Sequence, residues 1–258
     1  MQRKPSAISV LACLLVACAA TVVACGGHED AKTSVARAAT TSLGAGGAKI
    51  RFTATSRAAS GTVTVRGTGR ARVDPQRAAV NLEFRSPQSN GTIRELLQGP
   101  TVYMISPLLR PSIPSGKGWV KIDLEKTGRN LAFDFLSFSA ATPNQTLRLL
   151  GHAVGAKQLG SLMIDGTKTK HYRARVDQSD VHAVGGAHVT LKPVDAWIDE
   201  HGKIRRARLD FSTGPGTSTV FTIDYKGYGS AVPVAPPDPS VVYDATSLSQ
   251  ATAPSVGK

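Results

Sequence analysis

Cysteine is nearly absent from this 258-residue chain, and the three present, Cys13, Cys18 and Cys25, all fall in its first 25 positions. Nothing downstream can form a disulfide, act as a thiolate nucleophile or hold zinc through sulfur, so the body of the chain must be held by its core alone. Acidic residues are scarce as well: 18 Asp and Glu stand against 31 Lys and Arg, a formal net charge of +13. Catalytic signatures are missing. There is no Gly-x-Ser-x-Gly elbow and no His-Glu-x-x-His pair. The six histidines (His28, His152, His171, His182, His188 and His201) are scattered, and the nearest pair, His182 and His188, has no carboxylate or Cys set at ligand spacing. Gly67-Thr68-Gly69 and Gly214-Pro215-Gly216 do not continue as phosphate loops. Asp199 and Glu200 read as part of a polar hairpin turn rather than an acid–base pair. The expectation is a protein that is not an enzyme and that takes no cofactor and no metal.

What is present begins with the N-terminus. Arg3 and Lys4 precede a charge-free apolar stretch from Ala7 to Ala24, which ends Val22-Val23-Ala24-Cys25 before Gly26-Gly27 and His28-Glu29-Asp30. That order is an export signal. Its end resembles the lipobox of bacterial lipoproteins, which implies a diacylglycerol on the Cys25 thiol, cleavage before Cys25, and a chain tethered to the outer face of the plasma membrane. Leu15-Val16-Ala17-Cys18 is a second match and Val10-Leu11-Ala12-Cys13 a distant one, but Cys25 sits at the apolar-to-polar border. The alternatives are an ordinary secretory peptide or an uncleaved anchor. An apolar run of about 18 residues is near the lower bound for a spanning helix, and the small residues and Gly-Gly exit argue against a stop-transfer segment. Export makes nucleic acid a poor partner for the basic charge. Anionic headgroups and acidic wall polymers remain, although most of the arginines read as solvated strand faces.

Domain organisation follows composition: a leader over 1–24, a segment over 25–48 that is a lipidated tether open between a leading helix and a flexible link, one domain over 49–245, and a Ser/Thr/Ala/Pro-rich disordered tail over 246–258. Within the tether, Val35, Ala38, Ala39 and Leu43 fall on one helical face. From Lys49 the pattern becomes period two: Ile50, Phe52 and Ala54, then Val63 and Val65, then Val80, Leu82 and Phe84, each alternating with polar residues. Alternation of this kind marks antiparallel strands with one apolar and one wet face. Ile93–Leu97, Thr101–Ser106 and Trp119–Asp123 read as further strands. Leu131, Phe133, Phe135, Leu136 and Phe138 form an apolar cluster. Thr142-Pro143 opens a helix over 143–152. Asp165-Gly166 marks a tight hairpin, and further strands run over 168–176, 194–199, 204–211 and 217–225, with a short edge piece at Val241–Tyr243. About ten strands and two modest helices predict an α+β, mostly antiparallel architecture: a curved, half-open β-barrel wrapped around a few helices, enclosing a hydrophobic cavity.

This order of motifs resembles the LppX/LprG-type lipid-binding lipoproteins of the LolA/LolB-like superfamily. The carrying pieces are the lipobox with Gly-Gly, Tyr103-Met104-Ile105, Gly118-Trp119-Val120-Lys121-Ile122-Asp123, Ile164-Asp165-Gly166-Thr167 with His171-Tyr172, the Trp197-Ile198-Asp199 … Gly202-Lys203-Ile204-Arg205-Arg206 hairpin, and Asp224-Tyr225 with Tyr228-Gly229. The resemblance implies a LolA-like lipid-binding domain, a carrier that holds acylated lipids or glycolipids in a cavity and moves them within the cell envelope, and a membrane transporter as partner. The apolar strand positions nominate Leu82, Phe84, Tyr103, Trp119, Phe133, Phe135, Tyr172, Leu209, Phe211, Phe221 and Ile223 as cavity lining, each weighed against ordinary core packing. The alternative is an envelope lipoprotein of the same fold with a filled core, acting as a sensor or protein-binding scaffold.

Overall fold

A computed structural model describes residues 30–72, 76–126, 142–177, 189–212 and 214–247. The chain opens with helix α1 (Ala31–Gly44), followed by strands β1 (Gly47–Ala58), β2 (Gly61–Arg72), β3 (Arg77–Arg85), β4 (Asn90–Gln98), β5 (Thr101–Ile105) and β6 (Trp119–Asp123). Helix α2 (Thr142–Gly151) precedes β7 (Ala153–Ile164), β8 (Thr167–Val176), β9 (Thr190–Leu191), β10 (Val194–Asp199), β11 (Ile204–Ser212), β12 (Ser218–Lys226) and β13 (Val242–Asp244). The thirteen strands form one sheet in the order β13-β6-β5-β4-β3-β2-β1-β12-β11-β10-β8-β7, with β9 joined to β11. The two ends of that order differ, so the sheet is open. All the pairings are antiparallel except β13 with β6, which is parallel.

The hairpins are built by local chemistry. Asp165 and Gly166 both adopt positive φ, 48° and 78°, the conformation that matches the right-handed twist of flanking strands, so the β7–β8 connection closes in two residues. At the β10–β11 corner the Asp199 carboxylate accepts the backbone N–H groups of His201 and Lys203, both at 2.9 Å, and the Arg205 Nε at 2.6 Å. Its oxygens are spent on the turn, in keeping with the structural reading of that carboxylate. In contrast, the reversal between β3 and β4 occurs at residues 86–89, where Ser86 and Ser89 exchange hydrogen bonds. Asn90 is already in the strand.

Both helices lie against one side of the sheet. Helix α1 buries Val35, Ala38 and Ala39 and packs on α2, β7, β8, β10 and β11, while α2 touches β2 and β8. Strands β2 and β8 are separated in the sheet by β1, β12, β11 and β10. One ten-residue helix reaches both only because the sheet curls around it. Three specific bonds fix the helices. The Asn144 amide donates to the Arg72 carbonyl at 3.0 Å, the buried Tyr225 hydroxyl donates to the Pro143 carbonyl at 2.7 Å, and the Ile204 amide donates to the Ser42 hydroxyl at 2.9 Å.

The register explains the core. Each strand turns every second side chain inward, and a cross-strand row can be followed from β4 to β8: Ile93, Leu82, Gly67, Phe52, Ile223, Ala207, Ala196 and Tyr172. Gly67 is the necessary gap in this row. A Cβ there would stand 2.2 Å from the tip of the Phe52 ring, so the ring lies over bare backbone and reaches Phe221, 5.5 Å away between centroids. We expect Gly67→Ala to force the Phe52 ring out of its place and to cost about 1–3 kcal/mol. A chemical-denaturation midpoint equal to that of the unsubstituted protein would contradict this packing.

Candidate ligand-binding face

The inner face continues on both sides of that row. One neighbouring row holds Gly91, Phe84, Val65, Ala54, Phe221 and Leu209; the other holds Met104, Glu95, Val80, Gly69, Ile50 and Tyr225. Phe52, Phe84, Phe221, Leu97, Met104, Ile122 and Ile223 are among the most completely buried large side chains of the molecule. The face is therefore continuous and apolar from β6 to β8, with one charged side chain set into it: Glu95, fully buried, opposite Val80 on β3 and Met104 on β5.

Seven of the nominated cavity residues, Leu82, Phe84, Tyr172, Leu209, Phe211, Phe221 and Ile223, share this inner face. Leu82, Phe84, Phe221, Ile223 and Tyr172 are buried in it, whereas Leu209 and Phe211 are half-buried against it. Tyr103 and Trp119 are corrected. Tyr103 pairs with Leu96 and Lys121, so its side chain stands on the outer face. Trp119 has the parity of Lys121 and lies beneath the Arg94 guanidinium, 5.6 Å from the ring centroid, as an outer-face cation–π contact. Phe133 and Phe135 lie outside the described residues, as does Cys25. Phe52, Ile93, Leu97, Met104, Val120, Ile122 and Glu95 share the inner face as well but were not among the nominated residues. Strand parity was the available signal: Glu95 is in phase with Ile93 and Leu97, and Val120 with Ile122.

Where the helices meet the sheet, the packing is tight. A void of only about 10 Å³ remains among Ser42, Ala48, Ile50, Ala71, Leu147, Tyr225 and Tyr228, about enough for one water molecule. The tyrosines there are structural. Burial pushes the hydroxyls of Tyr225 and Tyr228 up in pKa, so both stay protonated, and Tyr228 donates to the Ile204 carbonyl at 2.5 Å. Among the described residues no group of three His, Cys, Asp or Glu side chains is placed to share a metal ion. The same residues include no helix long and apolar enough to cross a membrane.

One polar cluster occupies the outer face of the opposite wing. Asp195 accepts Arg173 Nε at 2.8 Å and Arg173 Nη2 at 3.1 Å, and pairs with His171 Nε2 at 3.1 Å. The His171 ring stacks on Trp197 at 4.3 Å. Burial alone would raise the Asp195 pKa, but the hydrogen bonds from Arg173 and His171 outweigh it and hold the carboxyl below its ordinary value. The arrangement ties β8 to β10.

No family model matches the chain. A Streptomyces coelicolor protein assigned as a lipoprotein, SCO4650, is 30% identical over 118 residues, which cover 43% of this chain and 37% of that relative; the match thus spans just over a third of the relative's length. Among solved structures, the Mycobacterium tuberculosis lipoprotein LppX superposes with a TM-score of 0.51 at 14% identity, covering 80% of this chain and 98% of LppX. LprF from Mycobacterium bovis follows at 0.47 and 15% identity, covering 81% and 96%. The chain has the fold of the lipoprotein LppX. That agrees with the resemblance read from the sequence, and the open, mostly antiparallel sheet with two described helices accords with an α+β class.

The Asp195 cluster yields a pH test. Because the folded-state pKa of Asp195 is depressed, its contribution to stability is fully present above the unfolded-state value near 3.8 and is lost as pH falls through the folded-state value. We expect Asp195→Asn to lose about 1 kcal/mol at neutral pH, after allowance for solvent screening, and the melting curves of variant and parent to converge in strong acid. A deficit that stays constant down to the lowest accessible pH would mean that the ion pair is not its source.

Proposed function

We propose that the protein is an exported lipoprotein, anchored through Cys25 to the outer face of the plasma membrane, that holds acylated lipids or glycolipids against the inner face of its sheet and carries them within the cell envelope. The observation that supports it most is the continuous apolar inner face of an open, curled sheet with the LppX fold. Such a surface suits an acyl chain, which gains about 0.8 kcal/mol for each CH₂ buried, and it asks for no specific polar chemistry. The leader ending in Val22-Val23-Ala24-Cys25 and the lipoprotein assignment of the Streptomyces relative support the anchored location. Transfer to or from a membrane transporter belongs to the same reading. The half-buried Leu209 and Phe211 are the inner-face positions from which entry of a chain begins, since their neighbours Phe221 and Ile223 are already withdrawn from solvent.

A second reading is favoured by the void of only about 10 Å³ at the helix–sheet junction: a filled core serving as a sensor or protein-binding scaffold. Native mass spectrometry separates the two. A chain beginning at Gly26 retains every described residue. Expressed in an actinobacterial host, it carries a stoichiometric acylated adduct under the carrier reading. A bare mass with no uptake of added lipids favours the scaffold. Leu209→Trp combined with Phe211→Trp is expected to lower lipid loading by about tenfold or more while the protein remains folded by circular dichroism. Unchanged loading in a folded variant would remove this end of the face from the binding site. For the anchor, Cys25→Ser is expected to abolish incorporation of labelled palmitate and to shift the protein out of the membrane fraction.

A further inference from the structure

The outer face of the sheet carries an arrangement that folding alone does not favour. Across β12, β1 and β2, Lys226 stands directly opposite Lys49, and Lys49 directly opposite Arg70. Like charges placed opposite each other across strands destabilise the pairing. In the adjoining row Arg51 lies between Asp224 and Thr68. These side chains line an open groove of about 340 Å³. Neighbouring strands are about 4.8 Å apart, so the backbones of the three residues of one row lie within about 10 Å of each other.

The acidic groups nearby are already committed. Asp224 is held by Arg206, with Nε at 2.5 Å and Nη2 at 3.0 Å. Asp165 is held by Lys226 at 2.6 Å. Lys49, Arg51 and Arg70 form no ion pair among the described residues, and Arg70 makes only a long bond of 3.4 Å to the Ala231 carbonyl. Lys49, Arg51 and Arg70, with the Thr68 hydroxyl, therefore line one concavity without an ion pair of their own, although the Asp165 carboxylate lies within electrostatic reach of Arg51. Two guanidinium groups and a lysine ammonium lining one groove match the oxygens of a phosphate group.

We propose that this groove is an anion site that takes a phosphate group, on the face of the sheet opposite the apolar one. Its ligand is distinct from any chain held on the inner face, because the sheet separates the two. The site converts the cost of the like-charge row into binding, since an anion between Lys49, Arg51 and Arg70 relieves their mutual repulsion.

Amine labelling of the full chain, read by peptide mass spectrometry at Lys49 and Lys226, tests this. Inorganic phosphate is added to protein in nonionic detergent, and in a parallel arm the protein is placed in nanodiscs of phosphatidylcholine or of phosphatidylglycerol. Saturating phosphate is expected to lower Lys49 reactivity by about tenfold. Protection by inorganic phosphate identifies a free-anion site, and protection only by phosphatidylglycerol identifies a lipid headgroup as the source of the phosphate. In the Arg51→Gln, Arg70→Gln double variant the protection is expected to disappear while the melting temperature stays level or rises, because repulsion has been removed. Lack of protection by either probe, or equal protection in the double variant, overturns the proposal. Phosphate affinity that is lost only together with folding overturns it too, by reducing the groove to a structural feature.

Discussion

The uninterrupted register of the central strands is the constraint on which the rest of this structure depends. Because side chains alternate between faces, a shift of one residue in any strand would carry its apolar set to the solvent side. From β4 through β3, β2, β1 and β12 to β11 the pairing runs without a bulge, and the three inner rows therefore stay free of charged side chains apart from Glu95. Irregularities are confined to the far wing, between Ala153 and Gly155 and between Gln158 and Gly160 on β7, and between Trp197 and Ile198 on β10. Gly67 shows how closely the register is tied to packing, since the Phe52 ring occupies the place of the missing side chain. The sheet can curl around α2 because its inner rows mix large residues with Gly67, Gly69, Ala54, Ala196 and Ala207.

Much of this was legible in the sequence, and the reasons differ by element. Strands β1, β3 and β12 alternate cleanly, so their inner faces could be read directly. Thr142-Pro143 located the start of α2, and Asp165-Gly166 located a hairpin, because both are local backbone effects. The errors came where size was used in place of parity. Tyr103 and Trp119 are large and aromatic, but they share parity with Lys121, and a strand of five residues with apolar side chains on both faces offers little else to separate them. Helix α1 was left open between helix and tether because its apolar stripe is made mostly of alanine. The parallel pairing of β13 with β6 and the two-residue β9 depend on tertiary contacts that no local signal encodes. Glu95 is in phase with Ile93 and Leu97, and its burial runs against the usual exposure of glutamate.

The two faces of the sheet carry opposite chemistries, and together they account for the composition. Apolar residues at alternate positions build the inner face, and a surplus of arginine and lysine fills the outer one. Ion pairs such as Arg206 with Asp224, Lys226 with Asp165 and Arg173 with Asp195 absorb part of that surplus. Part of what is left, Lys49, Arg51 and Arg70, stands together on β1 and β2. An exported protein tethered near an anionic membrane gains from such a face, whereas a cytoplasmic one would meet nucleic acid first.

The central claim is that the inner face holds an acyl chain. A lipid bearing a photoactivatable diazirine midway along its chain, added to the full protein and irradiated, tests it most directly once the cross-linked peptides are sequenced. The account predicts that labels fall on inner-face positions of β3, β4, β11 and β12, around Leu82, Phe84, Ile93, Leu209, Phe211 and Phe221. Labels confined to the outer face or to the edge strand β7, or their absence from the folded protein, would contradict it.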